Sequence, residues 1–134
     1  MKKFTECYNI NESTKEETSL VVDLISLLHH AQLPVREIHW NTRENALHLT
    51  TDEAIKSFLE WEDKLAEAFI SDKNITLKIN DTKPASNADF EGILKDIVKL
   101  TEEVKEKVKE TSIAAVIDDI LEGCNKHLYR GQFK

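Results

Sequence analysis

Five histidines, His29, His30, His39, His48 and His127, share this chain with 25 aspartates and glutamates. Imidazole and carboxylate together are donors that suit iron and other transition metals. A di-iron centre built inside one four-helix bundle needs inward glutamates and two Glu-x-x-His repeats. The chain contains no Glu-x-x-His. Its nearest approach, Glu37-Ile38-His39, sets the two polar side chains on different faces of a helix. A different grouping is present: His39-Trp40-Asn41 at the end of one helical stretch, His48 just ahead of the next, and Asp63 with Glu67 upon it. Asp63 and Glu67 stand four residues apart and share a helix face. That face lies beside the apolar stripe and not at its centre, so the two carboxylates point sideways, towards a neighbouring molecule.

The elements that must position these groups read as helices almost throughout. Ser13-Thr14-Lys15-Glu16 and Thr14-Lys15-Glu16-Glu17 both fit a capping box, in which a hydroxyl serves amide donors while a glutamate reaches back. Leu20, Leu24, Leu27, Ala31 and Ile38 then recur at helical spacing, with Val21, Ile25, Leu28 and Val35 widening the stripe. Pro34 lacks the amide that would reach the carbonyl of His30, which predicts a kink or a break. Thr50-Thr51-Asp52-Glu53 is a further capping box, opening a second helix with Ile55, Phe58, Leu65 and Phe69 on its stripe. Between about residues 72 and 86 the pattern lapses into loop composition. Ser86-Asn87-Ala88-Asp89 caps a third helix facing inward through Phe90, Ile93, Leu94, Ile97, Val104 and Val108, and Ser112 caps a fourth carrying Ile113, Val116, Ile117, Ile120, Cys124 and Leu128.

Four amphipathic helices in one small domain predict an all-α four-helix bundle, a single domain over residues 1–134 with a tail at 1–13 and a crossover at 72–86. The first and third links are short and give antiparallel neighbours. The middle link, about 15 residues at ~3.3 Å each, can stretch ~50 Å. The second helix is only ~30 Å long. The link can therefore run the length of the bundle, as in the ferritin-like topology with one long crossover.

His39-Trp40-Asn41, then Leu47-His48 followed by Asp52, Trp61, Asp63, Leu65, Ala66 and Glu67, resembles the ferroxidase segment of the Dps-type miniferritins, and the spacing from His48 to Asp52, Asp63 and Glu67 is similar to that family's without an indel. Lys126-His127-Leu128-Tyr129 is similar to its Lys-His-Leu-Trp. The resemblance runs from about Leu20 to Leu128 and is strongest between His39 and Glu67. It implies an iron site at a two-fold interface, with His39 and His48 from one subunit, Asp63 and Glu67 from its partner, Asp52 as ligand or supporting acid, and Trp40 beside the metal. It further implies oxidation of ferrous iron, in most of the family preferentially by peroxide, and ferric storage in a hollow dodecamer. Four features depart from the family, the first being Pro34, which falls where that family's first helix runs on. The loop at Arg43-Glu44-Asn45 is shortened and has no glycine, the crossover has no helical pattern, and Glu62 occupies a stripe position where relatives are apolar. A buried lone carboxylate is costly, so Glu62 calls for a partner, a Lys or Arg at an interface.

Charge and cysteines narrow the classes further. With 18 Lys and Arg against 25 acids, the formal charge is −7, and a twelve-chain shell multiplies that twelvefold, which disfavours DNA. Cys7 and Cys124 make no disulfide framework, and no apolar run approaches a membrane span. The Met1–Glu6 start lacks the apolar core of a signal peptide, so the expected compartment is the cytoplasm. Trp40 and Trp61 read as interface or core anchors, and His29, His30 and His127 as structural. Two rival expectations stand beside ferroxidase and storage. One is a non-enzymatic four-helix structural or interaction protein, and the other a small dimeric protein holding zinc or manganese.

Overall fold

In the computed structural model, which describes residues 12–132, four helices pack as a bundle with no strand among the described residues. They are α1 (Glu12–Asn41), α2 (Asn45–Lys73), α3 (Phe90–Lys107) and α4 (Thr111–Arg130). The apolar stripes account for the core. Leu24, Leu28, Ala31 and Val35 of α1, Phe58, Leu65 and Phe69 of α2, Ile93, Leu94 and Ile97 of α3, and Ile113 and Ile120 of α4 are all fully buried. Burying side chains of this size stabilises by roughly 1.5–3 kcal/mol each before the entropy of ordering the chain is set against it.

Several helix ends differ from the sequence expectation. α1 is already helical at Glu12, the first described residue, so Ser13 and Thr14 of the expected capping boxes lie inside the helix, and most of the tail at 1–13 lies outside the described residues. Pro34 does not break α1, which runs through it for 30 residues. Ala31 and Val35, one turn apart across the proline, are both fully buried. Packing on either side holds the helix despite the missing hydrogen bond, whose loss costs about 3 kcal/mol or more in an unsupported helix. α2 begins at Asn45 and not at Thr50. Thr51 turns its hydroxyl back to the carbonyl of Leu47 at 2.7 Å, a bond made inside a helix and not at its cap. His48 therefore lies within α2, not ahead of it. α3 is capped by Asp89, whose carboxylate accepts from the amide of Gly92 at 2.8 Å. α4 opens at Thr111, one residue before the expected Ser112.

Contacts between helix ends fix the directions. Lys73 at the end of α2 meets Glu110 ahead of α4 at 2.6 Å, and Arg130 at the end of α4 meets Glu53 near the start of α2 at 2.9 Å. These two helices are antiparallel. Lys107 ends α3 beside Glu16 near the start of α1, so that pair is antiparallel too. The link between α2 and α3 must then pass from one pole to the other. Asn74 starts it in the left-handed region at φ 49°, where asparagine is tolerated, with its amide on the carbonyl of Ile70. Along the way Asn80 is tied to α1 three times. Its amide donates to Ser26 Oγ at 2.9 Å, its side-chain NH2 to Asp23 at 2.7 Å, and its carbonyl accepts from His30 Nε2 at 2.9 Å.

Candidate functional site

Only three residues, Thr42, Arg43 and Glu44, join α1 to α2, so the last turn of one helix faces the first turn of the other. His39 and His48 meet across this hairpin, nine residues apart. Each histidine uses Nδ1 on the other's main chain: His39 Nδ1 lies 2.7 Å from the carbonyl of His48, and His48 Nδ1 lies 2.9 Å from the carbonyl of His39. A carbonyl only accepts, so both Nδ1 atoms carry the proton and both Nε2 atoms hold a lone pair in the neutral ring. His39 Nδ1 also lies 3.2 Å from Thr51 Oγ1. The carbonyl of His39 is among the last four of α1, which have no partner within their own helix, and His48 supplies one.

The two rings are stacked, with centroids 4.0 Å apart and planes inclined by 17°. A metal bound to an imidazole nitrogen sits in the plane of that ring at about 2.0–2.1 Å. Nearly parallel planes at this spacing do not meet within such reach. In this arrangement the histidines cannot chelate one ion between them, and each has a lone pair for a different ion.

The carboxylates lie further along α2. Asp52, one turn beyond His48, pairs with Lys56 at 3.4 Å on the surface. Asp63 and Glu67 are exposed and make no hydrogen bond or ion pair among the described residues. At 100° per residue, His48, Asp52, Asp63 and Glu67 fall within about 100° of one another around the helix, a single stripe. Along the axis, however, Asp63 stands about 22 Å from His48. One chain thus brings together His39 and His48, with Asp52 a turn away, and leaves Asp63 and Glu67 apart. No three His, Cys, Asp or Glu side chains converge on a metal position among the described residues. Trp40 is 65% exposed, whereas Trp61 is the core anchor.

The other polar residues are engaged in packing. Glu62 has partners within the chain: His29 Nδ1 at 3.1 Å and Gln32 Nε2, which donates at 2.6 Å. His127 is buried, with Nε2 3.0 Å from Ser57 Oγ and Nδ1 facing no partner among the described residues. Burial pushes its pKa down, with Glu53 opposing and Arg130 and Lys126 adding to the fall. Cys124 is buried and its thiol is pushed up to about 12 by desolvation, so it is not a nucleophile. Cys7 lies outside the described residues. The ties at Asn80 were missed from the sequence. The available signal was Ser26 and His30, four residues apart at the edge of an otherwise apolar stripe.

Fold and donor set together define an all-α four-helix bundle with a histidine pair across its first hairpin and acidic residues along the outer face of α2. Residues 39–130 match the model of a family of unknown function (DUF5856). The chain belongs to that family, and the matched stretch contains every candidate ligand from His39 to Glu67 as well as His127. No curated protein and no solved structure matches the chain. No described helix is long and apolar enough to cross a membrane.

Proposed function

We propose that this protein oxidises and stores ferrous iron at a site completed between two chains, in the manner of the Dps-type miniferritins. His39 and His48 of one chain supply neutral nitrogen donors, Asp63 and Glu67 of another supply carboxylates, and Asp52 supports them. The observation that carries this reading is the stacked pair with both Nδ1 atoms committed to carbonyls and both Nε2 atoms open. A carbonyl that accepts from the other ring nitrogen, and so fixes the tautomer and aim of the imidazole, is the usual support of a metal-binding histidine. Two nearly parallel rings suit two ions and not one. The ~22 Å between His48 and Asp63 along α2 keeps one chain from bringing both to the same ion.

Iron is the substrate. Two ferrous ions each lose one electron, and hydrogen peroxide takes both, its O–O bond breaking to give two hydroxides. The residues hold the ions and leave positions open to the oxidant. Replacing Asp63 and Glu67 together with Ala is expected to abolish ferrous oxidation, followed by ferric absorbance, while circular dichroism stays unchanged. Oxidation at the original rate in that double variant overturns the proposal.

One observation favours a second reading, a structural or interaction protein without iron chemistry. The reciprocal His39–His48 bonds also clamp the α1–α2 hairpin, which is work enough for both side chains. On that reading ferrous ion leaves the imidazole resonances of His39 and His48 unmoved.

A further inference from the structure

His29 and His30 stand side by side on α1, about 14 Å along its axis from His39. Each spends one ring nitrogen on the bundle and leaves the other without a hydrogen-bond partner among the described residues. His29 Nδ1 lies 3.1 Å from a carboxylate oxygen of Glu62, and His30 Nε2 lies 2.9 Å from the carbonyl of Asn80. Both partners are acceptors, so the protons sit on those two nitrogens. The lone pairs of the neutral rings then fall on His29 Nε2 and His30 Nδ1. A carboxylate or carbonyl behind the ring is the support that metal-binding histidines carry. Glu62 is itself steadied by Gln32, which donates to its other oxygen at 2.6 Å.

These rings are arranged unlike those of His39 and His48. Their centres are 5.3 Å apart and their planes cross at 80°. An ion bound to an imidazole nitrogen at about 2.0–2.1 Å lies about 3.2 Å from the ring centre. Two centres 5.3 Å apart then subtend about 110° at one shared ion, the tetrahedral angle that zinc takes. A square-planar ion such as Cu2+, at about 90°, needs centres only about 4.5 Å apart. Crossed planes also share a line, along which an ion can lie in the plane of both rings. Both histidines line a cavity of about 500 Å³, walled by Leu33 of α1 and by Lys83, Ser86 and Asn87 of the crossover.

We propose that His29 and His30 form a zinc site within the single chain, separate from the hairpin pair, with His29 Nε2 and His30 Nδ1 as its protein donors. The two remaining positions face the cavity and take water or a small anion. Lys83 lines that cavity, and its charge opposes a bare dication but favours one that carries hydroxide or a carboxylate. The site is independent of the iron reading, because it uses none of the residues assigned to iron.

Nitrogen-15 NMR of the full chain labelled at histidine, titrated with zinc chloride, tests it. Zinc is expected to move the resonances of His29 Nε2 and His30 Nδ1 along one binding curve, while His29 Nδ1 and His30 Nε2 stay protonated. His29→Gln and His30→Gln each keep an amide donor for Glu62 or Asn80 but lose an imidazole. Each is expected to weaken zinc binding at the remaining ring about tenfold or more, with helicity unchanged. Glu62→Gln removes the charge behind His29 and is expected to weaken binding about tenfold. Zinc that moves only His39 and His48, or that moves His29 and His30 along separate curves, overturns the site. So does a remaining ring that binds zinc as tightly in both single variants as in the wild type. Failure of the iron reading looks different: unchanged ferrous oxidation in the Asp63 and Glu67 double variant leaves zinc at His29 and His30 untouched.

Discussion

The histidines at the hairpin and the histidine in the core make opposite use of the same ring. His39 and His48 spend Nδ1 on carbonyl oxygens and leave Nε2 without a hydrogen-bond partner among the described residues. His127 spends Nε2 on Ser57 and turns Nδ1 into a buried space with no partner among the described residues. The first arrangement holds a ring still while leaving its donor atom available. The second fills volume at a cost in unmet hydrogen bonding, which is tolerable only because packing repays it elsewhere. The side chain is common to both; the nitrogen left over separates a candidate ligand from a core residue.

The contrast can be broken first at its chemical end. His48→Ala is expected to slow ferrous oxidation about tenfold or more, the scale seen when support of a metal site is lost, while His127→Ala leaves the rate per folded molecule unaltered. Stopped-flow absorbance on both variants decides this, and equal losses in the two would collapse the distinction. At the packing end, His127→Ala is expected to lower unfolding stability by about 2–3 kcal/mol in urea, through a cavity beneath Trp61 and a stranded Ser57 hydroxyl. A related test lies one turn back on α4, where a Cβ added at Gly123 would run into the Trp61 indole. Glycine within a helix costs about 1 kcal/mol relative to alanine. Gly123→Ala is nevertheless expected to destabilise, by about 1–2 kcal/mol, because the clash exceeds the gain in propensity. A rise in melting temperature for that variant would show that the indole moves freely.

The smallest expected effect is on pH. Burial holds the folded His127 below its ordinary pKa, so the unfolded chain binds the proton more readily. Stability is then full at neutral pH and falls as pH drops below the ordinary value of about 6.5, levelling out once the folded pKa is passed. In that window the slope from this group is at most about 1.4 kcal/mol per pH unit. His127→Gln keeps a partner for Ser57 and is expected to flatten the slope, as read from urea midpoints at a series of pH values.

The bundle was legible because apolar residues three and four apart leave little choice of period, as at Leu24, Leu28 and Ala31 of α1 or Ile93 and Ile97 of α3. The start of α2 was not. Thr50-Thr51-Asp52-Glu53 carries the residue types of a cap, but the hydroxyl of Thr51 serves Leu47 inside the helix, and a sequence does not say which carbonyl a hydroxyl will choose. Pro34 misled for a similar reason, since the rule for an isolated helix omits the buried residues that flank it. Of the candidate site, the stripe through His48, Asp52, Asp63 and Glu67 follows from spacing alone. The stacking of His39 on His48 does not, because it depends on how three link residues turn the chain. The partner of Glu62 was likewise out of reach, as His29 and Gln32 lie some thirty positions away.

The long link pinned at Asn80 has a practical consequence for handling the protein. Because it carries the chain from one pole to the other before α3 begins, α1 starts and α4 ends at opposite poles, separated by about 45 Å, the length of a 30-residue helix. The pole where α4 ends is the one that holds the histidine pair. A purification tail of consecutive histidines placed after α4 would bring foreign imidazoles to the pole of His39 and His48 and confound any test of ion binding there. The start of α1 lies at the far pole, away from both rings.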